Sequence, residues 1–307
     1  MAEESSGLVF TPVTFEDKDL FRQILSECEI YKDLPASEIT FESVFCWSAC
    51  DHAQRCVTEE GIVIFYEYYN GLKAFYPPLV KKPEYFVPTL RKMMLFAKEQ
   101  GFPFYVERLT KNMTELAAEL ENEGFCFEFK RDESEYLYNP DDLINLAGKN
   151  YKSKRSLVHA FEDEYDYEFT EFEPEMKEEI LALATECGKN PDSHDFQCEL
   201  VSIDRALDYL DKLDMFCDVI KVEEEIVAFE IGFINHANVG IVLFEKGDFS
   251  YKGVYQAINN FFSEKHFANT ALVNRQEDLG IDGLRESKSS YHPCGFSEKY
   301  TLTKKEN

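Results

Sequence analysis

The feature that most constrains this chain is an order of elements that runs through it twice. Hydrophobic spacing predicts helices over Lys18–Cys28 and Phe41–Ala53, and then a change to period two. Strands follow over Arg55–Glu59, Gly61–Tyr69 and Leu72–Tyr76, the last two joined by Asn70-Gly71, a strong hairpin signal. A helix over Tyr85–Glu99 closes at Gly101, and after it come a strand Phe104–Glu107, a helix Asn112–Asn122, and strands Phe125–Lys130 and Glu135–Tyr138. Asn139-Pro140-Asp141-Asp142 reads as a junction. Beyond it the order repeats. Helices are predicted over Tyr151–Asp163, Pro174–Cys187 and Cys198–Leu213, with a strand at Tyr167–Phe172, and then a meander of Cys217–Val222, Ile226–Ile234 and Val239–Phe244. A helix Lys252–His266, a strand Thr270–Val273, a helix Gly283–Ser289 and a strand Phe296–Thr303 close the chain. Helix, meander, helix, strand, helix, strand thus occurs twice, in order though not in residues. This predicts an α/β protein with mixed sheets, in two domains of residues 1–140 and 141–307.

Charge narrows the partners. The net charge of −27 over 307 residues repels phosphate backbones and disfavours general nucleic-acid binding. No run approaches the apolar length of a membrane helix, and the acidic start Met1-Ala2-Glu3-Glu4 is unlike a signal peptide. Both predict a cytoplasmic protein with no membrane span. Nine cysteines are scattered without a Cys-x-x-Cys pair, and six histidines show no ligand spacing, so no metal site is expected. Cys46, Cys50 and Cys56 read as packed thiols, free of zinc and of disulfides.

Three stretches carry chemistry. Gly148–Arg155 holds four basic residues and no acid, whereas Glu162–Glu186 holds eleven acids against Lys177 alone. That contrast admits two readings: neutralisation of the acidic neighbour, or an anion site. Phe244-Glu245-Lys246-Gly247 through Lys252-Gly253 joins a strand to a helix N-terminus, where backbone amides can cradle phosphate, and Glu245 stands at the strand end as a candidate base or amine holder. The third stretch, Asn274-Arg275-Gln276-Glu277-Asp278-Leu279-Gly280-Ile281-Asp282-Gly283-Leu284-Arg285, with Lys288 and Tyr291, packs charges of both signs into a loop after a strand. If the strands before Glu245 and Arg275 run parallel, both residues emerge at one sheet edge beside Glu277 and Lys288. Gly280 and Gly283 would turn the chain back over them. Read as surface groups, these charges should tolerate Arg275→Glu with little loss of stability while losing ligand.

These residues together resemble the uncharacterised soluble bacterial proteins related to the C-terminal domain of phosphatidylglycerol lysyltransferase, most strongly from about residue 139 to the end. The resemblance implies two tandem GNAT-type acyltransferase domains, with the site in the C-terminal one. It implies transfer of an aminoacyl or acyl group from an activated donor, acyl-CoA or aminoacyl-tRNA, to an amine or hydroxyl acceptor, with no covalently bound cofactor. The chain departs from the lysyltransferases in having no membrane domain, and its acidity counts against a tRNA donor. On this reading Lys154 and Arg155, with Lys252 and Gly253, hold the donor. Arg275 and Lys288 stabilise negative charge, Glu245 or Glu277 serves as base or amine holder, and Tyr291 donates a proton. The alternative is a non-catalytic binding module that uses the same cleft for a cationic peptide or small metabolite, which the negative charge favours.

Overall fold

The computed structural model describes residues 5–188 and 193–305. They fall into two compact units, one of residues up to Ser134 together with 297 onward, the other Glu135–Phe296.

The first unit begins with β1 (Thr11–Pro12), α1 (Lys18–Glu27) and α2 (Phe41–Asp51). Thr40 caps α2, its hydroxyl accepting from Ser43 N–H at 3.3 Å. Then come β2 (Gln54–Val57), β3 (Gly61–Glu67), β4 (Lys73–Phe75), β5 (Leu79–Val80), α3 (Phe86–Gln100), β6 (Tyr105–Leu109), α4 (Lys111–Leu116) and β7 (Phe125–Tyr138). β2, β3 and β4 form an antiparallel meander, and β6 joins β4 in parallel through the crossover helix α3. The predicted strands 125–130 and 135–138 are one strand of 14 residues. Polar Arg131–Ser134 hid its continuity, because strands accept a polar face.

The second unit contains α5 (Pro140–Asn145), α6 (Lys152–Glu164), β8 (Tyr167–Glu171), α7 (Lys177–Glu186), α8 (His194–Asp208), β9 (Phe216–Val222), β10 (Glu225–Ile234), β11 (Val239–Gly247), α9 (Val254–Phe262), β12 (Leu272–Asn274) and α10 (Asp282–Ser289). Strands β8 to β11 are successively antiparallel. β12 lies parallel to β11 and antiparallel to the end of β7. Buried Tyr136, Tyr138, Val242, Phe262, Phe267 and Val273 form one core under this sheet, and Phe161, Ile220, Ala228, Val254 and Ile258 another. The helix predicted to run to His266 loosens into a π-helical turn at Ser263–Phe267.

The last strand, β13 (Gly295–Lys304), differs most from the expected division at residue 140. Expected in the second domain, its residues from 297 onward belong to the first unit, where they pair antiparallel with β6 (Leu302 with Val106). Local pattern identifies a strand; which strand it pairs with is decided by the fold. Cys46 and Cys56 are buried and outside any disulfide, but Cys50, half-buried in the last turn of α2, is disulfide-bonded, contrary to expectation. Thiol spacing says nothing of what meets a side chain at a helix end. No helix among the described residues is long and apolar enough to cross a membrane.

Candidate functional site

Strands β11 and β12 stay paired over only three positions, from Val239 with Leu272 to Ile241 with Asn274. There β12 ends and β11 continues. A polar loop takes over the pairing that β12 gives up. The Asn274 carboxamide accepts from Gln276 N–H at 2.7 Å, and Gln276, in the left-handed region at φ 59°, turns its own amide back to β11. That amide donates to the carbonyls of Val242 and Leu243 at 2.9 and 3.0 Å. A side chain thus satisfies backbone acceptors that a strand would otherwise meet.

Arg275 sits in the middle of this turn. Its guanidinium pairs with Glu245 from β11 at 2.8 Å and lies over the rings of Tyr291 and Tyr138, 4.8 and 5.9 Å from their centroids. The two strands run parallel and release Glu245 and Arg275 at one edge, as the crossover pattern predicts. The charges are not surface groups, however: the side chains of Arg275 and Glu245 are 9% and 15% exposed. The expectation that Arg275→Glu would leave stability intact is therefore corrected, since it would bury like charges together. Burial alone would discharge Arg275, but Glu245 and the neighbouring tyrosines raise its pKa and keep it protonated.

The other expected residues divide. Lys288 donates to the backbone carbonyl of Arg275 at 2.7 Å and to that of Glu277, so it fixes the loop. Burial, reinforced by Arg275, pushes its pKa down to about 8 against the opposing pull of Glu277. Tyr291 is buried, its hydroxyl pushed up to about 12 chiefly by desolvation. Lys154, expected to hold the donor, faces the same cluster. Its ammonium lies 4.4 Å from the Tyr291 ring centroid, and burial and Arg275 lower its pKa. Arg155 donates to the carbonyls of Leu146 and Gly148, and so closes its own loop. Gly253 begins α9 at φ 87°, and a Cβ there would come within 2.3 Å of the Leu157 carbonyl on α6. Close packing of two helices explains that glycine. Lys252 beside it is exposed, its N–H donating to the Tyr165 hydroxyl at 3.2 Å. Of the two turn glycines, Gly280 has φ 71°, but Gly283 lies inside α10, and left-handed Leu279 makes the turn instead.

The sequence reading gave no role to three buried acids. Asp278, fully buried, accepts from Tyr136 at 2.6 Å, from Gly280 N–H at 2.9 Å and from Arg285 at 2.9 Å. Those donors overcome its desolvation and hold its pKa low. Glu230 stands opposite Glu245 in the β10–β11 register, and Asp218 stands opposite Glu230 in the β9–β10 register. Both are fully buried. Asp218 is met by Lys265 at 2.5 Å and by His266, which stacks on Phe216. A single acid in the apolar run Ile226-Val227-Ala228-Phe229-Glu230-Ile231 is the signal that would have found Glu230.

Comparison with known proteins shows the family and the fold. A family model for the C-terminal part of phosphatidylglycerol lysyltransferase matches residues 33–303. A conserved protein of unknown function from Bacteroides thetaiotaomicron superposes with a TM-score of 0.86 at 26% identity, covering 97% of this chain and 100% of that one. L-PGS from Bacillus licheniformis does so with a TM-score of 0.64 at 16% identity, over 85% of this chain and 87% of that one. A tandem GNAT protein from the clavulanic acid biosynthesis pathway gives 0.50 at 9% identity, over 96% and 97%. The fold is a tandem GNAT-like one. Among curated proteins, the uncharacterized protein MYCGA3080 of Mycoplasmoides gallisepticum is 23% identical over 170 residues, 54% of this chain, and the match spans about half of that relative (55%). The buried Arg275–Glu245 pair, at the edge where β11 and β12 part, therefore sits in a chain that belongs to the family of the phosphatidylglycerol lysyltransferase C-terminal domain.

Proposed function

We propose that the second unit transfers an aminoacyl or acyl group from an activated ester or thioester to an amine or hydroxyl acceptor. One observation carries this reading: the Arg275–Glu245 pair lies largely buried beside a further, unpaired glutamate at the edge where β11 and β12 part. A buried ion pair is a poor way to stabilise a fold, because desolvation offsets most of the attraction. Perturbed charges held at a sheet edge are instead typical of reacting sites.

In the proposed step, the acceptor's lone pair forms a bond to the donor's carbonyl carbon, and its proton passes to the Glu245 carboxylate. The carbonyl oxygen takes the negative charge, which Arg275 and Lys154 face. Collapse of the intermediate breaks the ester or thioester bond. The leaving oxygen or sulfur then takes up a proton, for which the Tyr291 hydroxyl, kept protonated by burial, is the local source. Exposed Lys252, next to the start of α9, is the remaining basic residue suited to a donor phosphate. The charge of −27 favours acyl-CoA over aminoacyl-tRNA as donor.

Purified protein with a panel of acyl-CoA and aminoacyl-tRNA donors and amine acceptors, analysed by mass spectrometry, should yield an acylated product. Glu245→Gln should lower that rate about 10²- to 10⁴-fold, the usual contribution of a general base. The row Asp218–Glu230–Glu245 across three adjacent strands favours a second reading, non-catalytic capture of a cationic peptide or metabolite. No product with any donor, together with a rise in melting temperature on adding amines alone, would select that reading and reject the first.

A further inference from the structure

The acids in the second unit outnumber the cations set against them at one point. Asp218 has Lys265 and His266, and Glu245 has Arg275. Glu230, between them, has no basic side chain in contact among the described residues. It is fully buried, and neither of its carboxylate oxygens meets a donor. Its nearest polar neighbour is the carboxyl group of Glu245, its cross-strand partner, which lies within hydrogen-bonding reach. Two carboxylates cannot satisfy each other, since each only accepts. One proton converts the same contact into an O–H to carboxylate hydrogen bond, among the strong ones. It also balances the charge: two carboxyl groups with one proton carry −1, and Arg275 carries +1.

We propose that Glu230 is held as a neutral carboxylic acid that donates to Glu245, so that the two glutamates share one proton and one negative charge opposite Arg275. Burial and the Glu245 charge both act in this direction. Several other titratable or charged groups surround the pair: Asp218 from β9, with Lys265 and His266 behind it; Tyr138 from β7; Lys154 from α6; and Lys288 and Tyr291 from α10 and the turn after it. Glu230 is then a positioning residue. Its O–H orients the Glu245 carboxylate, both of whose oxygens meet Arg275 Nη2, at 3.2 and 2.8 Å. Only this kinetic consequence rests on the proposed acyl transfer; the shared proton does not.

Folding then takes up a proton at Glu230. Its folded pKa lies above the unfolded value of about 4.3, so the stability it contributes is whole below that pH and is lost as pH rises. Glu230→Gln replaces the acid with a neutral amide that still donates to Glu245. As pH rises above 5, the folding constant of the wild-type protein should fall relative to that of Glu230→Gln, by at most about tenfold per pH unit. Infrared spectra at pH 7 should show the C=O stretch of a buried carboxylic acid in the wild type and lose it in Glu230→Gln. If transfer is found, Glu230→Gln should retain it, and Glu230→Leu, which cannot donate, should lower kcat with KM unchanged. A parallel pH dependence in the two proteins and no protonated-acid band would overturn the proposal whether or not the enzyme turns over. Failure of transfer with the band present would count only against the acyl-transfer reading.

Discussion

The two units each hold a largely covered arginine at the end of the short strand that joins the sheet in parallel, and they use it differently. In the first unit Arg108, on β6, lies over Tyr76 and Tyr66 at 4.7 and 5.5 Å and pairs with Glu38 at 2.6 Å. In the second, Arg275 lies over Tyr291 and Tyr138 and pairs with Glu245. The surroundings then diverge. Arg108 also donates to the Tyr66 hydroxyl at 2.8 Å, and Glu38 meets Lys299 at 2.7 Å. Glu107 accepts from Tyr66 and from Tyr68. Two acids face two cations, and the acids have donors. Around Arg275, among the described residues, a second acid is left without a cation, and one guanidinium nitrogen, Nη1, has no acceptor. The same frame holds paired charges in one unit and an unbalanced set in the other. Paired charges offset their own desolvation, whereas an unbalanced set carries a stability cost.

The most direct way to break this comparison is to remove both arginines in turn. Arg108→Ala and Arg275→Ala should each cost about 3–5 kcal/mol in denaturant unfolding, because each strands buried carboxylates. Transfer per folded molecule should survive the first and vanish with the second. Loss of transfer in both, or in neither, would erase the distinction between the units.

A smaller effect separates loop fixation from chemistry. The Lys288 pKa is depressed to about 8, so its stability contribution is present above the unfolded value of about 10.4 and is lost as pH falls through 8. Wild-type stability should gain from this group between pH 8 and 10. Lys288→Met should show no such gain and should be weaker at every pH, because the carbonyls of Arg275 and Glu277 lose their donor. A gain preserved in the variant would place the titration elsewhere. Smallest of all, Lys252→Ala should change stability by less than about 0.5 kcal/mol, being exposed, yet raise KM for any phosphate-bearing donor. An unchanged KM would remove Lys252 from the site.

Much of this was legible in the chain itself. The doubled element order, the hairpin at Asn70-Gly71 and the crossover between β11 and β12 all follow from local periodicity and turn chemistry, which act over a few residues. The stretch Asn274–Arg285 was recognisable because it concentrates charge where a strand ends. The sequence also paired Glu245 with Arg275, through the rule that parallel strands end together.

Only the tertiary structure decided what each charge meets. The sequence gives no sign that Lys288 and Arg155 are used on backbone carbonyls, that Lys154 lies against Tyr291, or that β13 returns to pair with β6. Glu230 is the sharpest case: it was one more acid among 59 acidic residues until strand register set it between Asp218 and Glu245. The physical reason is range. Propensity and periodicity are set by neighbours along the chain, whereas the energy of a buried charge depends on groups that folding brings within a few ångströms from tens of residues away.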